Sequence, residues 1–412
     1  LSHLLIPPSL WAVTVGGCTS VAESSASVEI SDSAGVRIVL SRHPRWTGDE
    51  AWSVPAEPQM TIGVMDGPEE YQLVEVVAGT RRNDGTVVLA DRAARTVRLY
   101  DADGVFLKLL GGPGSGPGEF LSPAKVSVVG HDTVMVWDES AFRATRFDAE
   151  GRLLDTRSMD LGTVAKAVEP PLYPGEVEPL PNGQSLVRLV EKPGKGALPR
   201  QFRPRSGALR VSDDLSVIDT LLFFGDTEQV TVDAPWGPYS LPAPLGMTTW
   251  ITHSGNPPRI CVGDQEGPEI LCIDPDRSRV LLRWTSGRRP VREEDVAAWR
   301  EANVLLLGEK VAEDEILRLL EPVPIPEHRP HYSQLTLDKA GNLWVEIGPS
   351  AEAGSDLVDH LVFDPTGELL GSVPTPPIRI LEIGDDYLMG IHHDELGIEY
   401  LKVFEIRKES TE

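Results

Sequence analysis

Val87-Val-Leu-Ala-Asp91, Thr96-Val-Arg-Leu-Tyr-Asp101 and Asp103-Gly104-Val-Phe-Leu107 form a phrase that the chain soon repeats. The second copy reads Val134-Met-Val-Trp-Asp138, Ala144-Thr-Arg-Phe-Asp148 and Glu150-Gly151-Arg-Leu-Leu154. Gly104 and Gly151 lie 47 residues apart, and the connector Gly111-Gly-Pro-Gly-Ser-Gly-Pro-Gly-Glu-Phe120 is too rich in Gly and Pro for helix or strand. A period of roughly 40 to 50 residues holding about four short strands is the mark of a β-propeller blade.

The phrase returns along the chain. One blade covers residues 71–110 and a second 119–159, while a looser third spans 174–224 and contains a long exposed loop at 191–207. A fourth takes 245–284. Leu335-Thr-Leu-Asp338-Lys-Ala-Gly341-Asn-Leu-Trp-Val345 and Leu361-Val-Phe-Asp364-Pro-Thr-Gly367 make a fifth, and 378–406 supplies three strands of a sixth. Between the fourth and fifth, residues 291–322 lose the strand pattern and space Val296, Trp299, Leu307, Val311, Ile316 and Leu320 among charges, which suits amphipathic helices. The expected fold is all-β, a six-bladed β-propeller over 28–408 with a small helical insertion between blades four and five. The strand pattern of Ser27-Val-Glu-Ile and Val36-Arg-Ile-Val-Leu40 would close the three-stranded last blade, leaving no open edge in the ring.

Charge narrows the partners. Among 412 residues, 63 acidic against 38 basic side chains give a net charge of −25. Such a field repels nucleic acid and anionic lipid headgroups, serves solubility, and leaves room for a cationic ligand. A monomer with a small polar ligand or a protein partner is expected. The opening apolar run ends in Val15-Gly16-Gly17-Cys18, which matches the processing site of bacterial lipoproteins. On that reading residues 1–17 are a signal peptide, Cys18 carries lipid, 18–27 are a tether, and the protein is extracytoplasmic and touches a membrane only through its lipid. A chance cysteine at an untidy N-terminus is the plainer alternative. No stretch reaches the roughly 18 consecutive apolar residues of a spanning helix.

Cys261 and Cys272 flank Gly263-Asp-Gln-Glu-Gly-Pro268, a turn between two apolar runs, so a hairpin there sets the two sulfurs opposite each other. A disulfide is expected if the chain is exported, with two reduced packed thiols as the alternative.

With its Gly-Pro-Gly-Glu-Phe opening, Val-x-Val-x-Asp strand and Phe-Asp-x-x-Gly-x-Leu turn, residues 111–154 resemble an NHL-type repeat. The chain with its lipoprotein-like start, Asp32-Ser-Ala-Gly-Val-Arg-Ile-Val39 lead-in and helical insert is similar to bacterial extracytoplasmic six-bladed propeller lipoproteins of NHL-like or TolB-like type. That resemblance implies a fold and a compartment more than a reaction. Enzymes on such propellers include metal-dependent lactonases and streptogramin lyases, whose innermost strands gather Glu, Asn, Asp or His around one ion.

Counting two residues past the proline that opens each blade approximates the innermost ring. It gives Lys125, Glu176, Tyr332 with His331 beside it, and Arg379, and alignment of the first blade adds Glu75. Two cations among so few positions oppose a calcium site and suit either a salt-bridged lining or a polar, zwitterionic ligand held between Lys125, Arg379, Glu75 and Glu176. The histidines have no zinc spacing, and no catalytic elbow or phosphate loop is present, so no catalytic residue, metal or cofactor is assigned. A ligand- or protein-binding module is the reading, and a metal-dependent lactonase or lyase is the competitor. Asp91, Asp138 and Glu346 recur at strand ends, where capping explains them.

Overall fold

The repeated Asp-x-x-Gly phrase is a turn that only certain residues can make. Gly104 N–H donates to Asp101 O at 3.1 Å and Gly151 N–H to Asp148 O at 2.8 Å, with the glycines at φ +83° and +68°. Gly341, Gly367 and Gly397 repeat the arrangement on Asp338, Asp364 and Asp394. The aspartate adds its own clasp, as where Asp101 Oδ1 accepts from the backbone N–H of Asp103 and Val105. A left-handed fourth position costs glycine little, so each copy folds its strands back with a short reversal.

In the computed structural model the described residues are 27–408 except 48–49, 167, 169–171, 192–199, 213–215, 309–310 and 350–355. Cys18, the expected signal peptide and nearly all of the tether lie outside them. No helix among the described residues is long and apolar enough to cross a membrane.

Among the described residues six sheets, antiparallel but for one strand added to the fourth, carry the fold, beginning in chain order at Val76–Arg81, Pro123–Val129, Tyr173–Pro179, Trp250–Ser254, Gln334–Leu337 and Arg379–Ile383. These innermost strands face one another around a shared central cavity, and the first strand lies beside the last. The arrangement is a β-propeller. Between neighbouring sheets lie apolar layers such as Val88, Ala90, Val97, Phe120, Val136 and Phe147 between the first and second.

The recurring aspartates tie each strand end to the chain entering the sheet. Asp91 accepts from the N–H groups of Val74, Glu75 and Ala94, and Asp138 accepts from those of Leu121, Ser122 and Ala141. Both carboxylates are buried, so they satisfy backbone donors that water cannot reach. Glu346 differs from them: its side chain takes the Ser333 hydroxyl at 2.6 Å.

The N-terminal segment departs from expectation. Val36–Ser41 does not close the sixth sheet but pairs in parallel with Arg279–Trp284 at the outer edge of the fourth, and Val28–Ser33 adds beyond it. The missing strand of the sixth sheet is Met60–Ile62, opposite Leu401, Lys402 and Val403. The physical reason is proximity. The first and sixth sheets are neighbours, so the segment leading directly into the first already lies against the sixth.

Between these two attachments the chain crosses the fifth sheet. Arg45 and Trp46 N–H donate to Leu369 O and Leu370 O at 3.0 and 2.7 Å. The Trp46 ring lies where a Cβ on Gly371 would come within 2.3 Å of it, so the glycine makes room for the ring. Trp52 stacks at an angle on Trp46 and Trp344, with centroids 5.1 and 6.0 Å away. Residues 28–47 and 50–62 thus form a strap over three consecutive sheets.

A second departure concerns an accessory layer. Of the loop expected at 191–207, residues 192–199 lie outside the described residues, Arg205–Val211 is a strand of the third sheet, and Gln201–Phe202 joins Gln229–Ala234 and Gly237–Pro242 in a three-stranded sheet. Helices Glu293–Leu307 and Glu313–Leu320 cover it, sharing a core of Val230, Val232, Leu241, Leu307, Ile316 and Leu320. Trp299 Nε1 donates to Pro242 O at 3.1 Å. Cys261 and Cys272 stand opposite in one ladder and are joined as a disulfide.

Ile62, buried in the closing strand, and Ile30, mostly exposed in the outer hairpin, separate the two roles of the N-terminal segment. Ile62→Ala is expected to lower unfolding free energy by about 2–5 kcal/mol. Ile30→Ala should stay within about 0.5 kcal/mol. Denaturant melts of the two variants check this.

Candidate functional site

The innermost strands alternate side chains between the apolar layers and the axis, so the axis receives what each sequence places at every second position. The result is a central cavity of about 760 Å³ lined from all six of these strands. Its polar groups fall into two opposed clusters.

The first cluster joins the second, third and fourth sheets. Lys125 Nζ lies 2.7 Å from Glu176 Oε1 and 3.8 Å from Glu178 Oε1. His253 Nε2 stands 3.6 Å from the same Glu178 oxygen, and Arg188 Nη1 is 3.9 Å from Glu176. Arg188 is also anchored on Asp226. Burial opposes the charge on Glu178, yet the Lys125 ammonium and the His253 ring hold its carboxyl down at about 2. In return Glu178 raises the Lys125 ammonium against the cost of burial, with help from Glu176. The other ring nitrogen of His253, Nδ1, is buried without a hydrogen-bond partner.

The second cluster gathers on Glu382 across the cavity. Its carboxylate accepts from Thr80 Oγ1 at 2.6 Å, from Arg81 N–H at 2.9 Å and from the Tyr387 hydroxyl. Lys339 Nζ lies 3.1 Å from it and donates to Arg81 O and Tyr387 Oη. Burial and the Glu382 charge both push the Tyr387 hydroxyl up, so it stays a donor. Arg379 completes this wall: its guanidinium donates to Val76 O, and desolvation lowers its pKa.

Three of the residues expected on the axis therefore line the cavity: Lys125, Glu176 and Arg379. Glu75 does not; it precedes the first innermost strand and pairs with Arg92. Tyr332 is buried against Trp284, and its hydroxyl accepts from Gln265 N–H at 3.0 Å. His331 lines a separate pocket. Residue counting fails here for a structural reason. Four of the six innermost strands carry a register shift near their start, and the strand after Pro330 begins only at Gln334. Each bulge re-aims the side chains that follow. Glu178, His253, Arg188, Lys339 and Glu382 were missed, although Glu176-Val-Glu178 and Arg379-Ile-Leu-Glu382 show charges in otherwise apolar strands.

No family model and no curated relative matches the chain. Solved structures do. A member of the DUF4221 family from Bacteroides vulgatus is similar with a TM-score of 0.50 at 11% identity, covering 87% of this chain and 99% of that one. A putative exported protein from Bacteroides fragilis gives 0.49 at 12%, covering 90% and 100%. Virginiamycin B lyase from Staphylococcus aureus gives 0.38 at 11%, covering 86% and 99%. At these identities a likeness extends to fold and not to activity.

The depressed Glu178 carboxyl makes a signed prediction. Its ionised pair contributes stability above the ordinary value of 4.5 and loses it as pH falls toward about 2. Glu178→Gln is expected to cost about 1–3 kcal/mol at neutral pH. The gap from the parent should shrink below pH 4.5, as unfolding measured at pH 7 and at pH 3 would show.

Proposed function

We propose that this chain is a ligand-binding module on a six-bladed β-propeller of NHL-like or TolB-like type, whose central cavity takes a small polar ligand carrying both charges. The six sheets of four or more strands would be its blades, and the helices Glu293–Leu307 and Glu313–Leu320 its insertion between blades four and five. The observation that carries the reading is the pair of opposed walls. Lys125, Glu176, Glu178 and His253 stand on one side of the cavity, with Glu382, Lys339 and Arg379 on the other.

Such walls suit a zwitterion. Acid and base are already partnered within each wall, so an incoming ligand must exchange one ion pair for another, which discriminates by charge placement. The competing lactonase or lyase reading asks for several carboxylates or imidazoles converging on one ion. Among the described residues no group of three His, Cys, Asp or Glu is placed that way.

The compartment follows from Cys18, which would carry lipid and hold the propeller outside the cytoplasm. Disulfide pairing of Cys261 with Cys272 suits an oxidising compartment. Cys18→Ala should release the full-length protein from the membrane fraction, and retention of that variant would remove the anchor from the account.

A thermal-shift screen of small zwitterions, amines and carboxylates tests the cavity. A zwitterionic hit is expected to lose roughly tenfold affinity in Lys125→Met, about 1.4 kcal/mol. The same hit should bind unchanged in Glu29→Gln, a substitution in strand Val28–Ser33 of the outer hairpin. A hit insensitive to Lys125→Met, or stoichiometric metal in the purified protein that is lost in Glu178→Gln, would overturn the reading.

A further inference from the structure

A second cavity, of about 480 Å³, opens where the three-stranded sheet, the loop of the disulfide hairpin and the segment returning from the helices meet. The central site does not use it. One part of its wall is apolar and stiff, formed by Pro244, Leu245, Met247, Pro324 and Pro326. Prolines offer neither a backbone donor nor much freedom to collapse.

The polar groups in it are not equivalent. Glu266 is engaged by Arg203 at 3.0 Å, and Arg329 is tied to Asp295. Glu228 accepts from the Gln201 amide and from Met247 N–H. That leaves Arg288, which has no hydrogen bond or ion pair among the described residues, beside His328 and His331. His331 Nδ1 is buried and has no hydrogen-bond partner. Burial, then the charges of Arg288 and Arg289, push the imidazole down, so this corner is positive in a protein whose net charge is −25.

We propose that this cavity is a binding site for a small organic carboxylate, its charged end held by Arg288 and His331 and its apolar body against the proline wall. An unpaired guanidinium offers a carboxylate its fork of charged donors, and the imidazole beside it, once protonated, adds to the positive field there. The apolar wall favours a carboxylate on a hydrocarbon body over a bare inorganic anion, which would leave that surface uncovered.

Binding and protonation are linked. A bound anion favours the imidazolium, so affinity rises as pH falls through the His331 titration. The other ionisable groups facing this corner are Arg289, Arg329 with Asp295, His328, Glu228 and Glu266.

Benzoate and hexanoate are the probes, with hexylamine, hexanol and inorganic phosphate for comparison, read by calorimetry on the full chain. Both carboxylates should bind, roughly tenfold more weakly in Arg288→Ala. Because Arg288 is exposed, that variant keeps the fold. His331→Gln should flatten the rise in affinity as pH falls from about 7 to about 5. Failure of both carboxylates to bind at tens of millimolar would overturn the proposal. So would equal binding of hexanol or hexylamine, tighter binding of phosphate, or affinity unchanged in Arg288→Ala.

Discussion

Everything at the centre of this molecule depends on a short antiparallel pairing, Met60–Ile62 against Leu401, Lys402 and Val403. A ring of sheets buries the two faces of each sheet only while every sheet has neighbours on both sides. The junction between first and last is where that condition must be met by segments far apart in the chain. Three paired residues alone are a small seam, and the strap supplies the remainder. Trp46 seated over Gly371, Trp52 between Trp46 and Trp344, and the mutual backbone bonds of Ser53 and Arg407 hold the segment in place. Met60, Ile62, Val76, Met389 and Val403 then share one core across the seam.

The closed ring is also what gives the axial charges their strength. Lys125, Glu178 and His253 come from three different sheets, and Glu382, Lys339 and Thr80 from three others. Held at the centre of a closed ring these groups lose part of their water, Lys125 and Glu178 keeping 30% and 31% of their side-chain exposure, so their attraction exceeds the about 1 kcal/mol of a fully solvated pair. The low Glu178 carboxyl and the raised Lys125 ammonium are one consequence, seen from two partners.

What the sequence made legible was what is local. The Asp-x-x-Gly turns, the two copies around Gly104 and Gly151, and the register that sets Cys261 against Cys272 all involve residues within one hairpin. The strap was not legible, because its partners lie hundreds of residues downstream. Val36-Arg-Ile-Val-Leu40 looks more like a strand than Met60-Thr-Ile62, and nothing in the residues themselves says which one meets Val403. The three-stranded sheet was hidden for a related reason: Gln201–Phe202 is a two-residue strand that exists only because Gln229 and Val230 pair with it. In the central site the kind of residue was foreseeable but the positions were not. Glu75 precedes its strand and the strand after Pro330 begins only at Gln334, so Glu75 and Tyr332 went elsewhere, while bulged strands brought Glu178 and Glu382 to the axis and an unbulged one brought His253.

Cysteine cross-linking across the seam tests the account most directly. Thr61 and Lys402 are opposite each other in the ladder, whereas Arg37 pairs with Val280 in another sheet. The double variant Thr61→Cys, Lys402→Cys should form an intramolecular disulfide under mild oxidation, and Arg37→Cys with Lys402→Cys should not. A cross-link between positions 37 and 402, with none between 61 and 402, would contradict the closure and with it the arrangement of charges at the axis.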